Sequence, residues 1–351
     1  MDADVMVIGA GPIGIEVAAG LKSKNVSYIH VEAGQLADTI TKWPRHARFF
    51  SSPERCAIAG VPVQTVDQEQ LVGEVYLAYL RNVVELHDLK IQLYERVTSL
   101  ARDDKGFTVT TETRSDSRRY RVKSVVLATG DMNRPNKLGI PGEDLPHVSH
   151  RFSDPHPYFR QRLLIVGGRN SALEAALRCF RAGADVSLSY RRPALDRDRT
   201  NSRLHLELSI LTGKQYVPFY PSTVPIEIKP TSVVLAGTND DRKTTEVPAD
   251  FVLMLTGFRG DISLLEQAGA EFEGSVPVIN ENTMQTTVPG LYVAGTAISG
   301  DQNTYHVFVA TAHGHTPKIV GAITGDSNVP HGTVIPRRYP FSLSDIKPES
   351  N

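Results

Sequence analysis

The stretch from Met1 to Glu32 constrains the fold more than any other part of the chain. An apolar run, Val5-Met6-Val7-Ile8, flows into Gly9-Ala10-Gly11-Pro12-Ile13-Gly14. A helical pattern from Ile15 to Leu21 follows, and then a second strand-like run, Tyr28-Ile29-His30-Val31, closed by Glu32. Strand, glycine turn, helix and strand at this spacing form the dinucleotide-binding pattern. Gly9 makes the tight turn, Gly11 lets the backbone approach a pyrophosphate, and Gly14 lets helix and strand pack closely. The helix entered through Pro12 and Ile13 offers unpaired N–H groups to phosphates. Glu32 is set to accept hydrogen bonds from a ribose diol, and its charge repels a phosphate there. That points to FAD or NAD rather than NADP at this site. A helix packed tightly on a strand without any ligand would carry the same glycines, but not the acid that closes the second strand.

Length and charge bound the rest. With 351 residues the chain exceeds the size at which single cores stop growing, about 250 to 300 residues, so two domains are expected. Lys+Arg 38 against Asp+Glu 39 leaves a formal net charge of -1, so no global field selects for nucleic acid or an anionic membrane. No apolar run approaches the roughly 20 residues of a membrane span. Asp2 and Asp4 precede the first apolar segment, and no basic region opens it, so it does not read as a signal peptide. A cytoplasmic protein is expected. Cys56 and Cys179 are far apart and form no C-x-x-C, so neither a disulfide framework nor a local redox pair is encoded. His147, His150 and His156 match no zinc spacing, and no metal is expected.

After Glu32 comes a loop-rich stretch with Thr41-Lys42-Trp43-Pro44-Arg45-His46 and Phe49-Phe50-Ser51-Ser52-Pro53-Glu54-Arg55-Cys56. Such a segment can lie over a bound nucleotide, with Trp43 covering a ring and Ser52 donating to it, or it can be a surface loop with an ordinary buried Trp43. Apolar residues at helical spacing (Leu71, Val72, Val75, Leu80, Val83, Val84) predict a helix over 68–87, and alternation predicts strands over 91–100 and 107–113. Ser124 to Leu127 reads as a buried strand running through Ala128 into Thr129-Gly130, with Arg134-Pro135 and Ile140-Pro141-Gly142 behind it.

A second unit begins at Leu163-Leu164-Ile165-Val166-Gly167-Gly168-Arg169-Asn170-Ser171-Ala172. The helical run Leu173 to Phe180 and the strand Asp185 to Tyr190 follow. Arg169 replaces the second glycine of the pattern, so its charge partly takes over the hold on a pyrophosphate, beside Gly167, Gly168, Asn170 and Ser171. No acid ends the second strand. Arg191 and Arg192 stand there, with Arg197 and Arg199 beyond, and arginines in that place accommodate a 2′-phosphate. This unit is expected to take NADPH rather than NADH through Arg191 and Arg192, whereas Arg197 and Arg199 suit a solvated basic loop. Ala249 to Phe258 repeats the strand-Thr-Gly pattern, so the chain holds two copies of one architecture. Pro289-Gly290-Leu291-Tyr292-Val293-Ala294-Gly295-Thr296 is a further strand-to-turn element, and Val307 to Ile323 has helical spacing.

These features together resemble the thioredoxin-reductase-like flavoproteins, and more closely the YpdA-type bacillithiol disulfide (bacilliredoxin) reductases. The closer match is carried by Phe49-Phe50-Ser51-Ser52, His156-Pro157-Tyr158-Phe159, Gly167-Gly168-Arg169-Asn170-Ser171-Ala172 and the Asn303-Thr304 region. The resemblance implies an α/β fold of two Rossmann-like domains, each a three-layer β/β/α unit, with an NADPH domain inserted into an FAD domain. The implied boundaries are 1–149 and 259–325 for FAD, 150–258 for NADPH, and a tail over 326–351. FAD would meet Gly9, Gly11, Pro12, Ile13, Gly14, Glu32, Ser52, Val97 beside the adenine, Thr129, Gly130, Gly295 and Thr296. Thr296 stands where the family places Asp. The helix after Gly295 would point its positive end at the flavin.

The implied activity is transfer from NADPH through FAD to a disulfide, on a small molecule or a small bacilliredoxin-like protein, by a homo-oligomer. Thioredoxin reductases carry a C-x-x-C before the second glycine turn. Ser149 to Phe159 has no cysteine, which excludes that relay. The YpdA-type family is associated instead with a cysteine directly after the proline of the first glycine turn. Ile13 occupies that position. The alternatives are electron transfer of the ferredoxin- or flavodoxin-NADP reductase kind, a flavin monooxygenase, whose F-x-G-x-x-x-H pattern is missing, and a flavin- or nucleotide-binding redox sensor without turnover.

Overall fold

Val5-Met6-Val7-Ile8 is apolar at every position because both faces of the strand it forms are covered. In β1 (Ala3–Ile8), Met6 and Ile8 join one buried cluster with Leu100, Phe107 and Val109, while Val5 and Val7 join another with Val17, Leu21, Ile319 and Val320. The computed structural model describes residues 1–239, 243–300 and 307–332. They divide into two units, one made of Met1–Lys42, His46–Arg134 and the chain from Phe258 onward, the other of Trp43–Arg45 and Pro135–Gly257.

In the first unit, α1 (Pro12–Ser23) connects β1 to β2 (Tyr28–Val31), which pairs with it in parallel. The strands β3 (Arg96–Asp103) and β4 (Gly106–Glu112) form an antiparallel meander with the first half of β5 (Ser117–Leu127). The second half of β5 pairs in parallel with β1 and with Leu291–Val293. One continuous strand therefore serves both layers, where the sequence pattern marks only its buried end at Ser124. The helix His315–Thr324 packs on α1, and Gly20 leaves room for Thr316 and Val320, which a Cβ there would meet at 3.1 and 3.2 Å.

The second unit repeats the plan. Phe219–Pro221, Asp185–Tyr190, Arg162–Val166, Phe251–Met254 and Val148–Ser149 make a parallel sheet in that order. Leu163 and Ile165 pack beneath the helix Asn170–Arg181, and Leu164 and Val166 pack on an antiparallel meander with Val233, Leu235 and Val247. The chain passes into this unit after Arg134, ahead of the 149/150 boundary expected from the sequence, because Val148–Ser149 is the edge strand of the second sheet.

Three elements differ from their sequence patterns. The helix expected over 68–87 spans Gly73–Leu86, since Gln68 is left-handed (φ 58°) in a turn closed by Thr65 and Glu69, and Val75 faces solvent. The strand expected from Ile91 starts at Arg96, because the amides of Gln92, Tyr94 and Glu95 bond the carbonyls of His30, Gly34 and Glu32. The helix expected over 307–323 is two helices, Val309–Ala312 and His315–Thr324, interrupted where the His313 ring turns to buried partners. The Asn303-Thr304 region, the tail beyond 332 and the Arg199 side chain lie outside the described residues. No helix among the described residues is long and apolar enough to cross a membrane.

Candidate functional site

Gly9 adopts φ 104°, and a Cβ there would sit 2.5 Å from the Ala128 carbonyl oxygen, so the turn out of β1 is closed against the end of β5. A Cβ on Gly14 would collide with the Gly9 carbonyl. Gly11 is different: its backbone is extended (φ -75°), and a Cβ would meet no atom within 4 Å. Gly9 and Gly14 are thus glycines for packing, whereas Gly11 leaves backbone accessible ahead of a helix that starts on Pro12 and receives no side-chain cap.

The Glu32 carboxylate is fixed by two amides. Ala10 donates to one oxygen at 2.7 Å and Gly34 to the other at 2.8 Å, which leaves lone pairs on both oxygens for further donors. Chain segments remote in sequence converge at the first turn of α1. Gly130 (φ 73°) would meet only Thr296 Oγ1, at 3.7 Å, and Gly295 (φ 67°) lies against the Ile13 side chain, 3.3 Å from where its Cβ would be. Ile13, Gly130, Gly295 and Thr296 are therefore brought together, and Asn133 donates to the Thr129 carbonyl. Ser52 caps the short helix Pro53–Cys56 without a side-chain bond, and Val97 packs against the core under the meander. Trp43 belongs with the second unit, where Arg45 N donates to Ser153 O and Arg178 donates to Arg45 O.

The second glycine turn has the same construction. Gly167 (φ 149°) would place a Cβ 2.5 Å from Leu255 O, and its amide donates to Ser189 O as that of Gly9 donates to Val31 O. The helix from Asn170 opens on Arg169 without a side-chain cap. Asn170 Oδ1 accepts from the Asn201 amide at 2.7 Å, so this side chain ties the turn to the start of the helix Ser202–Gly213. Ser171 and Arg191 are exposed, and Arg192 pairs with Asp196 at 2.9 Å.

Sequence reading missed Tyr190. By register it takes the place in the second unit that Glu32 has in the first, since Ser189 matches Val31 beside the first glycine. Its ring lies on Gly168, where a Cβ would come within 2.5 Å of it. The equal separations from Gly9 to Glu32 and from Gly167 to Tyr190 are the signal that could have found it.

Neither cysteine is poised for thiol chemistry. Cys56 and Cys179 are both buried, and burial pushes each thiol up to about 12. Ile13 is a core side chain packed with Val17, Tyr292 and Ala294. His147 and His150 sit by Lys229 O and Glu143, and His156 is exposed. No group of metal-ligating side chains forms among the described residues.

A family model described as pyridine nucleotide-disulphide oxidoreductase matches residues 6–295. The chain is 29% identical over 337 residues to bacilliredoxin reductase Bdr of Bacillus subtilis (strain 168), covering 92% of this chain and 98% of that protein. It is 26% identical over 321 residues to a ferredoxin–NADP reductase of Ignicoccus hospitalis, covering 89% of this chain and 94% of that one. Among solved structures, the bacillithiol disulfide reductase Bdr (YpdA) from Bacillus cereus matches with a TM-score of 0.87 at 28% identity, over 92% of this chain and 99% of that one. The resemblance and the two-dinucleotide fold read from the sequence are both upheld.

Proposed function

This chain belongs to the pyridine nucleotide-disulphide oxidoreductases, and from that membership we propose that it is an NADPH-dependent, FAD-containing reductase of a disulfide, on a small molecule or a small bacilliredoxin-like protein. When bound, the nicotinamide supplies a hydride and the flavin passes its electron pair on, so that NADPH, a proton and RSSR become NADP+ and two RSH. FAD is assigned to the first unit, with Gly9, Gly11, Pro12, Ile13 and Gly14 along the pyrophosphate, Glu32 on a ribose diol, and Thr129, Gly130, Gly295 and Thr296 nearer the flavin. Ser52 and Val97 complete the assignment as outer contacts. NADPH is assigned to Gly167, Gly168, Arg169, Asn170 and Ser171, with Arg191 and Arg192 on the 2′-phosphate.

The observation that carries this reading is the contrast at one position of a repeated turn. Glu32 holds a carboxylate fixed by two amides, while Tyr190 brings no charge and is followed by an exposed Arg191. One unit suits an unphosphorylated ribose and the other a phosphorylated one. With both thiols buried and protonated, and Ile13 in the core, the described residues offer no nucleophile for a mixed disulfide. The acceptor disulfide then takes its electrons without a covalent stage on this chain. The likeness to Bdr supports a bacillithiol-type disulfide as the substrate class. The reading implies the cytoplasm, where thiols are kept reduced, and a homo-oligomer.

The test is an anaerobic titration of the purified flavoprotein with NADPH, followed by addition of disulfides or ferredoxin in separate runs. Flavin bleaching reversed by a disulfide is expected. Bleaching reversed only by ferredoxin or oxygen would replace the acceptor, and no bleaching would leave a sensor.

A further inference from the structure

Glu16 lies on α1, one turn beyond Ile13, and is completely buried. A carboxylate in the core is costly unless it is paired and fully hydrogen-bonded. Here one oxygen accepts from the amides of Ala59 at 2.9 Å and Gly332 at 2.6 Å, the other accepts from Thr316 Oγ1 at 3.1 Å, and His313 Nδ1 stands 3.2 Å away. The second ring nitrogen of His313 faces Arg55 O at 2.9 Å. Both nitrogens thus point at acceptors, which only the doubly protonated imidazolium satisfies.

Two residues later the requirement reverses. The Gly295 amide donates to His315 Nδ1 at 3.1 Å, so this ring must be neutral, with its proton on Nε2. His315 is nearly buried and is followed by Thr316, itself bonded to Glu16. Gly295 is in the left-handed region and rests on Ile13. The segment His313-Gly314-His315-Thr316 and the first turns of α1 therefore hold the Gly295 turn from two sides, through His315 and through Ile13.

We propose that His315 is a positioning residue for the flavin: by accepting from the Gly295 amide it fixes the turn that presents Thr296, while the Glu16–His313 pair anchors the segment that carries it. The inference rests on the assignment of FAD to the first unit. It corrects one detail of that assignment, since the Gly295 N–H is spent on His315 rather than free for the cofactor.

The variants His315→Leu, His315→Asn and His315→Gln separate position from packing. The Asn oxygen is as many bonds from Cα as Nδ1 is, whereas the Gln oxygen is one bond further out. FAD affinity is measured by titrating apoprotein, and the flavin midpoint potential by dye equilibration. Leu and Gln should each weaken FAD binding about tenfold and shift the potential, the effect of losing one buried hydrogen bond. Asn should restore both to wild-type values. If Leu prevents folding, the Asn and Gln pair carries the test. Equal behaviour of Asn and Gln, or wild-type affinity and potential in all the variants, would overturn the inference alone. A wild-type apoprotein that takes up no FAD would instead sink the assignment of FAD, and the inference with it.

Discussion

At position 13 one side chain bears on how the proposed reduction of a disulfide can run. Ile13 fills core space against Gly295 where the resembling family has a cysteine, and no other thiol replaces it. Cys56→Ala should therefore leave both NADPH-driven flavin bleaching and disulfide-dependent reoxidation at wild-type rates. Loss of reoxidation alone, in stopped-flow traces, would make Cys56 the relay. The buried histidines set the acid limit of the fold. Burial holds both His30 and His315 down to about 4 from 6.5, so each stays neutral in the folded state while the unfolded chain takes up its proton. Stability present above 6.5 is then lost as pH falls from 6.5 to about 4, at most about 1.4 kcal/mol per pH unit for each ring. His313 runs the other way: the Glu16 carboxylate and Arg55 O outweigh its desolvation and raise it. Its contribution is complete below 6.5 and is lost as pH rises through the raised value. Urea unfolding at pH 7 and pH 4.5 should show a clear loss on acidification, smaller in His315→Asn. An equal loss in both proteins would exclude His315 from it.

The two glycine turns are the elements on which the proposed function rests, and their glycines separate into two kinds. Gly14→Ala pushes a methyl into the Gly9 carbonyl, so α1 must move off β1. Apoprotein stability should fall by about 3 kcal/mol, the upper range for overpacking. Gly11→Ala meets no atom and adopts an ordinary backbone conformation, so the apoprotein should keep its unfolding midpoint while FAD affinity drops. If Gly11→Ala binds FAD normally, no pyrophosphate approaches that backbone. In the second turn, Arg191→Ala with Arg192→Ala should raise KM for NADPH about 10- to 100-fold and leave NADH nearly unchanged. Equal effects on both nucleotides would remove the 2′-phosphate from this loop. Arg192 already pairs with Asp196, so Arg191 should account for the larger share. These turns were legible in the sequence because the pattern is local: strand, glycine spacing, helix and strand end fall within one short segment. The onset of β3 and the break at His313 were not, because long-range bonds to Glu32, Glu16 and Arg55 set them.

Across the whole molecule, each unit has its own parallel sheet, its own meander and its own buried clusters. A ligand that binds only the folded state protects what it binds, by about 2.7 kcal/mol at a hundredfold excess over Kd. In hydrogen exchange, FAD should slow the amides of β1, α1 and β2, and NADP+ those of 162–190. Protection of 162–190 by FAD alone would reverse the assignment of the two nucleotides. The sequence by itself determined the two Rossmann-like units, their order and the charge that distinguishes them, since apolar period, turn glycines and a strand-terminal acid or arginine are properties of neighbouring residues. Only the tertiary structure decided that Glu16 lies buried against His313, that the Tyr190 ring lies on Gly168, and that Gly295 is held by His315. Those depend on sheet register and on contacts between residues far apart in the chain, and no local periodicity encodes which distant partner satisfies a buried polar group.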